Sequence, residues 1–193
     1  MSVTTSIVAI CNRSLAKVGA NRINQLEDRS PEGRACLETY DPVRLAELRA
    51  HVWAFAVKRA SLPALSTAPL FGRDNAFQLP SDFVRLAAPD PEVNYPDLDW
   101  KIEGQTIVTD DSAPLEIRYV YDVTDPNLFD ALFREALSAA LAVELCEKLT
   151  QSNAKKQALL QEYALAIREA RRIHAMERPA RSDATCTWIT VRD

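Results

Sequence analysis

Apolar residues near the N-terminus recur every three or four positions, which is the spacing of one face of an α-helix. The run predicts a first helix over residues 4–18, and Gly19 follows at the place where a left-handed residue often ends a helix. Ile23 and Leu26 then hold the next connection against the core. The predicted buried face of this helix consists of Ile7, Ile10, Cys11, Leu15 and Val18.

A second helix is predicted to begin at the motif Ser30-Pro31-Glu32. The motif supplies a capping hydroxyl, a proline at the first helical position and an acid in the first turn. Pro42 either kinks this helix or begins a new one together with Asp41. The periodic apolar positions carry the helical prediction towards Ala60, and they are Leu37, Tyr40, Leu45, Leu48, Val52, Phe55 and Ala56.

Two further helices are predicted in the C-terminal half. Asp125-Pro126 begins the third, and its alanine-rich stripe allows neighbouring helices to approach closely. The fourth runs from about residue 153 to Met176, with arginines in its last turns that suit the negative end of the helix dipole. The predicted inward residues are Phe129, Leu132, Phe133, Ala136, Leu137, Ala140 and Leu141 in the third helix and Leu160, Tyr163, Ala164, Ile167 and Ala170 in the fourth.

The middle of the chain has a different pattern, and seven of the eleven prolines lie between Pro63 and Pro114. Residues 83–87 follow the turn Leu79-Pro80-Ser81-Asp82 and are predicted to form a strand, and apolar and polar residues alternate over 115–121, which indicates another. Residues 100–103 and 106–109 flank Gly104-Gln105 and predict a hairpin. These signals indicate a small antiparallel β module inside a helical protein.

The C-terminal residues depart from both patterns. Pro179 ends the fourth helix, and residues 186–191 are typical of a strand with an exposed tryptophan. With no adjacent strand in the sequence, this one must pair with the β module, a neighbouring subunit or another protein. We therefore predict a mainly α fold: a bundle of about four helices (1–62 and 123–177), an inserted antiparallel β module (63–122) and an extended C-terminal docking tail (178–193).

Composition and charge narrow the class of protein. Of the 193 residues, 47% are hydrophobic and 26% charged, which is typical of a soluble globular chain. No apolar run is long enough to cross a bilayer, and the first five residues lack the pattern of a secretory signal, so we expect synthesis in the cytoplasm. A formal net charge of -4 disfavours a protein that binds DNA tightly, which needs a basic surface. It is compatible with a surface past which a DNA duplex moves, because acidic residues repel the phosphates.

Few residues suggest chemistry. The four cysteines, Cys11, Cys36, Cys146 and Cys186, have no metal-ligand spacing, and we expect reduced, buried thiols. His51 and His174 both fall in predicted helices and are interpreted as packed or half-exposed polar residues. With only four glycines there is no phosphate-binding loop, and no nucleophile elbow occurs. We predict no catalytic, cofactor or metal site.

One group of carboxylates supports an alternative. Paired carboxylates hydrolyse glycosidic bonds where their spacing and environments differ suitably, so a small cell-wall glycan hydrolase is one hypothesis for this chain. Aspartate and proline are also the common residues of solvated turns, which is the preferred interpretation. The residues concerned are Glu92, Asp97, Asp99, Glu103, Asp110 and Asp111.

Five stretches, in order along about residues 4–177, are similar to one family. They are Ile10-Cys11-Asn12-Arg13-Ser14-Leu15-Ala16-Lys17-Val18-Gly19-Ala20, Leu26-Glu27-Asp28, Trp53-Ala54-Phe55-Ala56-Val57-Lys58-Arg59-Ala60, Leu79-Pro80-Ser81-Asp82-Phe83-Val84-Arg85 and Tyr121-Asp122-Val123-Thr124-Asp125-Pro126. The chain thereby resembles the phage tail tubular protein A family, the head-to-tail adaptors, or gatekeepers, of short-tailed phages.

The resemblance implies a structural virion protein and not an enzyme. Twelve copies would form a ring beneath the portal protein, retain packaged DNA, let it pass during ejection, and carry the tail nozzle, a tail tubular protein B-like protein. DNA would pass without sequence-specific binding, and no membrane or cofactor is implied. Attachment to the portal through the C-terminal segment would place the docking residues at Arg181, Trp188, Ile189, Thr190 and Val191.

Overall fold

The computed structural model describes residues 5–87 and 100–177 of the chain. Within these residues there are four α-helices and two small antiparallel sheets of three strands each. The prediction of about four helices and a small antiparallel β part is confirmed at this level, and the two sheets make the described fold mixed α/β. The helices are α1 (Ile7–Val18), α2 (Pro31–Ala50), α3 (Ala131–Leu149) and α4 (Asn153–Met176).

The predicted helix starts and stops follow local capping chemistry. The Ser6 hydroxyl accepts from the Ala9 N–H at 3.1 Å, and Gly19 ends α1 with φ +77°. The Ser30 hydroxyl accepts from the Gly33 N–H at the start of α2, and that helix continues through Pro42 without a break. The third helix begins later than predicted, because Asp130 caps α3 after a short turn at Pro126–Leu128.

Six strands form the two sheets. In the first sheet the order is β1-β6-β3, and in the second it is β2-β5-β4. The predicted hairpin around Gly104-Gln105 is confirmed as β4 and β5, and the alternating strand at 115–121 is confirmed as β6. The bounds are β1 (Val57–Leu62), β2 (Asn75–Gln78), β3 (Phe83–Leu86), β4 (Trp100–Glu103), β5 (Thr106–Thr109) and β6 (Leu115–Tyr121).

The helical prediction up to Ala60 is wrong. The helix ends at Ala50, and after a single helical turn at Ala54–Ala56 the chain becomes strand β1. All six residues of β1 pair with β6, from Val57 opposite Val120 to Leu62 opposite Leu115. These long-range ladder hydrogen bonds override the local helical spacing. The predicted boundaries between the helical bundle and the β module, after residues 62 and 122, rest on the sequence pattern and stay predictions.

The main apolar core surrounds α3. Phe133, Leu137 and Leu141 are fully buried there, and alanines between them let α1, α2 and α4 approach. The predicted inward face of α4 is partly wrong, because Leu159 is buried while Leu160 is 45% exposed and Ala164 is also exposed. Ile167 and Ala170 of α4 are buried as predicted.

Strand β6 joins this main core to a second one. Leu115, Ile117 and Tyr119 face a cluster that includes Phe77 of β2 and Ile107 of β5. Val120 faces the opposite way and belongs to the helical core. Because successive side chains of a strand point to opposite faces, one strand holds the sheets against each other and against the helices.

Candidate functional site

The predicted docking residues lie outside the residues that the structure describes. These residues are Arg181, Trp188, Ile189, Thr190 and Val191, and the described chain ends at Glu177, directly after α4. Their assignment to portal docking stays a prediction. The structure instead shows how the last turn of α4, from which this segment continues, is attached to the rest of the protein.

A cluster that we term the α2–α4 junction makes this attachment. It consists of side chains from the end of α2, the turn that follows it, and α4. They are brought together although the two histidines lie 123 residues apart in the chain. The members are Glu47, His51, Trp53, Tyr163 and His174.

Two histidines form the centre of the junction. Nε2 of His174 accepts a hydrogen bond from the Ala54 N–H at 3.0 Å, and Nδ1 of His174 lies 3.0 Å from Nε2 of His51. A neutral imidazole that accepts through Nε2 carries its proton on Nδ1, so His174 donates to His51. The prediction that both histidines lie in helices is wrong for His51, which caps the C-terminal end of α2.

Trp53 fixes the same junction to the core. Its side chain is 1% exposed, and its Nε1–H donates to the backbone carbonyl of Glu47 at 3.1 Å. The indole ring packs 4.6 Å from the ring of His51 and 5.0 Å from that of Phe133, measured between centroids. The buried indole therefore has both its apolar surface and its N–H satisfied.

Glu47 is a buried carboxyl within the junction. Its Oε1 accepts from the Tyr163 hydroxyl at 2.6 Å, while Oε2 has no hydrogen-bond partner among the described residues. Burial raises the pKa of Glu47, although the Tyr163 hydroxyl and Arg171 act in the opposite direction. Folding thus shifts this carboxyl towards its protonated form relative to the unfolded chain.

We expect Glu47 to make stability dependent on pH. Because its pKa is raised by folding, its stabilising contribution is present below the pKa of the unfolded chain and is lost as pH rises through the raised pKa. Glu47→Gln keeps an oxygen acceptor for Tyr163 and does not titrate, so the variant lacks this loss. Urea unfolding of both proteins from about pH 4 to about pH 7 measures the difference.

The matched control is Glu116→Gln, which alters an exposed glutamate on β6. Its unfolding free energy is expected to follow that of the unmodified protein across the pH range. A Glu47→Gln curve parallel to the unmodified one would show that the carboxyl ionises freely in the folded state.

Charged side chains join the helices outside the junction. Lys17 of α1 pairs with Glu135 of α3 at 2.8 Å and also with Glu162 of α4, and Arg13 reaches the same Glu135. The Lys17 side chain is 14% exposed, so solvent screens its two contacts less than it screens a surface pair. The three helices are thereby held in register.

Arg44 makes a second such joint, between α2 and the chain after β6. Its side chain is 3% exposed and donates to Asp122, to the carbonyl of Val123 at 2.7 Å and to Asp41 at 3.0 Å. A planar guanidinium serves several acceptors at once, which suits this position. The joint fixes the point where the chain leaves the sheets.

The carboxylates of the hydrolase hypothesis are only partly described, since Glu92, Asp97 and Asp99 lie outside the described residues. Asp110 pairs with Arg73 at 2.7 Å, and this hydrogen bond lowers the pKa of Asp110. Asp111 accepts from the Thr109 hydroxyl at 2.9 Å, and Glu103 lies exposed in β4. Asp110 and Asp111 therefore have roles in holding loop ends, and the hydrolase hypothesis stays untested.

Three of the four cysteines are described. Cys11, Cys36 and Cys146 are buried free thiols, as predicted, and Cys186 lies outside the described residues. A hydrogen bond with Cys36, together with burial, raises the pKa of the Cys11 thiol. Residues 5–87 and 100–177 contain no group of three or more side chains able to hold a metal ion, and no helix there is long and apolar enough to cross a bilayer.

Sequence reasoning missed the junction because its members are distant in the chain. The sequence pattern gave no sign that His51 and His174 lie beside each other, and no residue near Glu47 in the chain indicated that its carboxyl is buried. No protein-family model matches this chain, and no curated protein sequence matches it.

Proposed function

We propose that this chain is a head-to-tail adaptor of a short-tailed phage, similar to the tail tubular protein A family. Copies of it assemble as a ring, of twelve in that family, between the portal protein and the tail nozzle. The ring retains packaged DNA and lets it pass during ejection, and the protein acts in the virion neck after synthesis in the host cytoplasm. Its finer architecture is a helical bundle with an inserted β module and a C-terminal docking tail.

The structural roles of the resembling stretches support this proposal. Asn12 binds the backbone of Ile23 twice, through its Nδ2 and its Oδ1, each at 2.8 Å. Asp82 accepts from Lys58 at 2.8 Å and from the Tyr119 hydroxyl at 3.0 Å. These two residues of the resembling stretches therefore hold separate elements of the fold together. Such contacts are expected in a structural subunit whose role is to keep a fixed shape.

The observation that carries the proposal is the fixed last turn of α4. His174 accepts a hydrogen bond from the Ala54 N–H, so the segment after Glu177 begins at a point that is attached to the rest of the protein. A docking segment that starts from a fixed point loses less freedom on binding than one at the end of a loose helix. Repetition around a ring then strengthens a modest contact at each subunit.

Mixing the purified protein with portal rings tests the proposal. We expect monomers or loose oligomers alone and ordered rings on the portal, seen by negative-stain electron microscopy. Deletion of residues 178–193 is expected to abolish portal binding with the helical circular dichroism unchanged, and Trp188→Ala is expected to weaken binding at least tenfold, since an aromatic anchor often dominates a contact.

The control for the second variant is Trp100→Ala, which removes a tryptophan that is 38% exposed in β4. It is expected to bind the portal as the unmodified protein does. Absence of portal-bound rings with the full chain would refute the adaptor function, and undiminished binding of the deleted chain would move the portal contact away from the C-terminal segment.

A further inference from the structure

Strand β1 lies at one edge of its sheet. The strand order is β1-β6-β3, so one side of β1 pairs with β6, and no strand of residues 5–87 and 100–177 pairs with the other side. We term this other side the outer edge of β1. An edge strand presents backbone N–H and C=O groups that can pair with a further strand. The edge is continuous, because all six residues of Val57–Leu62 are in register with β6.

Three features leave the outer edge of β1 open to pairing. The strand contains no proline, and its register with β6 has no shift. A lysine can also protect an edge, but Nζ of Lys58 lies 2.8 Å from Asp82, which precedes β3, and 3.7 Å from the ring centre of Tyr121 on β6. The Lys58 side chain is therefore directed across the sheet, away from the outer edge.

The opposite edge of the same sheet is less regular. Strand β3 has only four residues, and its register with β6 shifts between Phe83 and Arg85. The Val84 carbonyl accepts a hydrogen bond from the Arg49 guanidinium of α2. A bulge and an occupied carbonyl interrupt the ladder that a further strand would need. The outer edge of β1 is thus the longer and more regular of the two.

The end of α4 brings the C-terminal residues to this edge. Nε2 of His174 accepts from the Ala54 N–H at 3.0 Å, and β1 begins shortly afterwards, at Val57. Residues 178–193 therefore start beside the entry to β1. The eight residues 178–185 span up to about 28 Å, which exceeds the length of about 20 Å of a six-residue strand. The residues that follow can lie along the outer edge.

Residues 186–191 have the composition of a strand, since four of them are β-branched and one is aromatic. Their number equals that of β1. Ala60 and Leu62 of β1 face the core that contains Phe77, and Ala60 is only partly buried there, so a neighbouring strand has apolar surface to cover. The sequence of the segment is Cys186-Thr187-Trp188-Ile189-Thr190-Val191.

We propose that residues 186–191 pair with the outer edge of β1 of the same chain, as a fourth strand of this sheet. A short flexible linker gives an effective concentration on the order of millimolar, so a copy's own segment outcompetes that of another copy in dilute solution. The contact goes beyond the adaptor function and does not depend on it, because both surfaces belong to one chain. In an adaptor, portal docking would compete with this pairing for the same residues.

Hydrogen–deuterium exchange of the isolated chain, followed by mass spectrometry, tests the pairing. Alternate residues of β1 direct their N–H groups at β6, and the N–H groups of the others point to the outer edge. Deletion of residues 178–193 is expected to make about three of the six amides of Val57–Leu62 exchange roughly tenfold faster or more. Peptides from the central strand β6 are expected to be unchanged. Unchanged exchange in β1 would overturn the proposal.

Two proline substitutions separate pairing from the mere presence of the segment. Ile189→Pro removes an N–H within residues 186–191 and is expected to reproduce the exchange of the deleted chain. Ala184→Pro is the matched control, because it places the same residue in the linker, and it is expected to exchange as the unmodified chain does. Equal exchange in the two variants would mean that residues 186–191 are not the added strand.

Light scattering on the same samples identifies which copy supplies the strand. Protection of β1 is expected in the monomer. Protection found only in dimers or larger species would show that the segment is exchanged between copies, and pairing within one chain would be wrong. None of these measurements uses the portal protein, so their failure leaves the adaptor function standing. Absence of portal-bound rings would likewise leave the pairing standing.

Discussion

Phe133→Ala is expected to lower the free energy of unfolding by about 3–5 kcal/mol, the range for removing a buried aromatic side chain. Phe133 is fully buried on α3, the helix that contacts the other three. Its ring centroid lies 5.0 Å from that of Trp53, 5.0 Å from that of Phe55 and 5.1 Å from that of Phe129. The cavity would open beside the α2–α4 junction, where the surrounding rings have little freedom to close it.

Urea or guanidinium unfolding followed by circular dichroism measures this loss. Phe71→Ala is the matched control, because the same side chain is removed from a position that is 87% exposed. Its unfolding free energy is expected to change by less than about 0.5 kcal/mol. Similar losses of unfolding free energy for the two variants would mean that packing around Phe133 does not stabilise the core.

Arg44→Met is expected to lower the free energy of unfolding by about 2–3 kcal/mol. The change keeps most of the side-chain volume but leaves the Val123 carbonyl without its donor and Asp122 without its cation. Breaking a fully buried ion pair costs about 3–5 kcal/mol, and the smaller value is expected here because Asp122 is 34% exposed and regains some hydration. Denaturant unfolding again provides the measurement.

The control for Arg44→Met is Asp41→Asn, which alters the solvent-facing partner of the same arginine. Asp41 is 69% exposed and three residues from Arg44 on α2, so its loss is expected to cost no more than about 0.5 kcal/mol. Equal losses from the two changes would indicate that the solvent-facing pair, and not the contact with Asp122 and Val123, holds the joint.

Local chemistry explains why much of the helical fold could be predicted. Ser30 and Pro31 act within one turn of the helix that they begin, and Gly19 ends α1 through its own backbone angle. The strand at 115–121 was also predictable, since its buried residues alternate along one segment. In each case the signal and the structure lie in the same few residues.

Errors arose where distant residues decide the structure. Residues 57–60 follow a run with helical spacing and become a strand because β6 lies beside them. In α4, a shift of one position turns a side chain by about 100°, which exchanges buried Leu159 for exposed Leu160. The junction between His51 and His174 depends on the packing of α2 against α4, and neither histidine carries a local signal for it.

The pairing of β1 with β6 has a consequence for how such proteins diversify. Val57 and Val120 face each other across the ladder, so the chain leaves the helices and returns to them at neighbouring points. Ends that lie side by side allow everything between them to be lengthened, shortened or exchanged by recombination while the helices keep their positions. Selection can therefore alter the sheets while the helical frame is inherited unaltered.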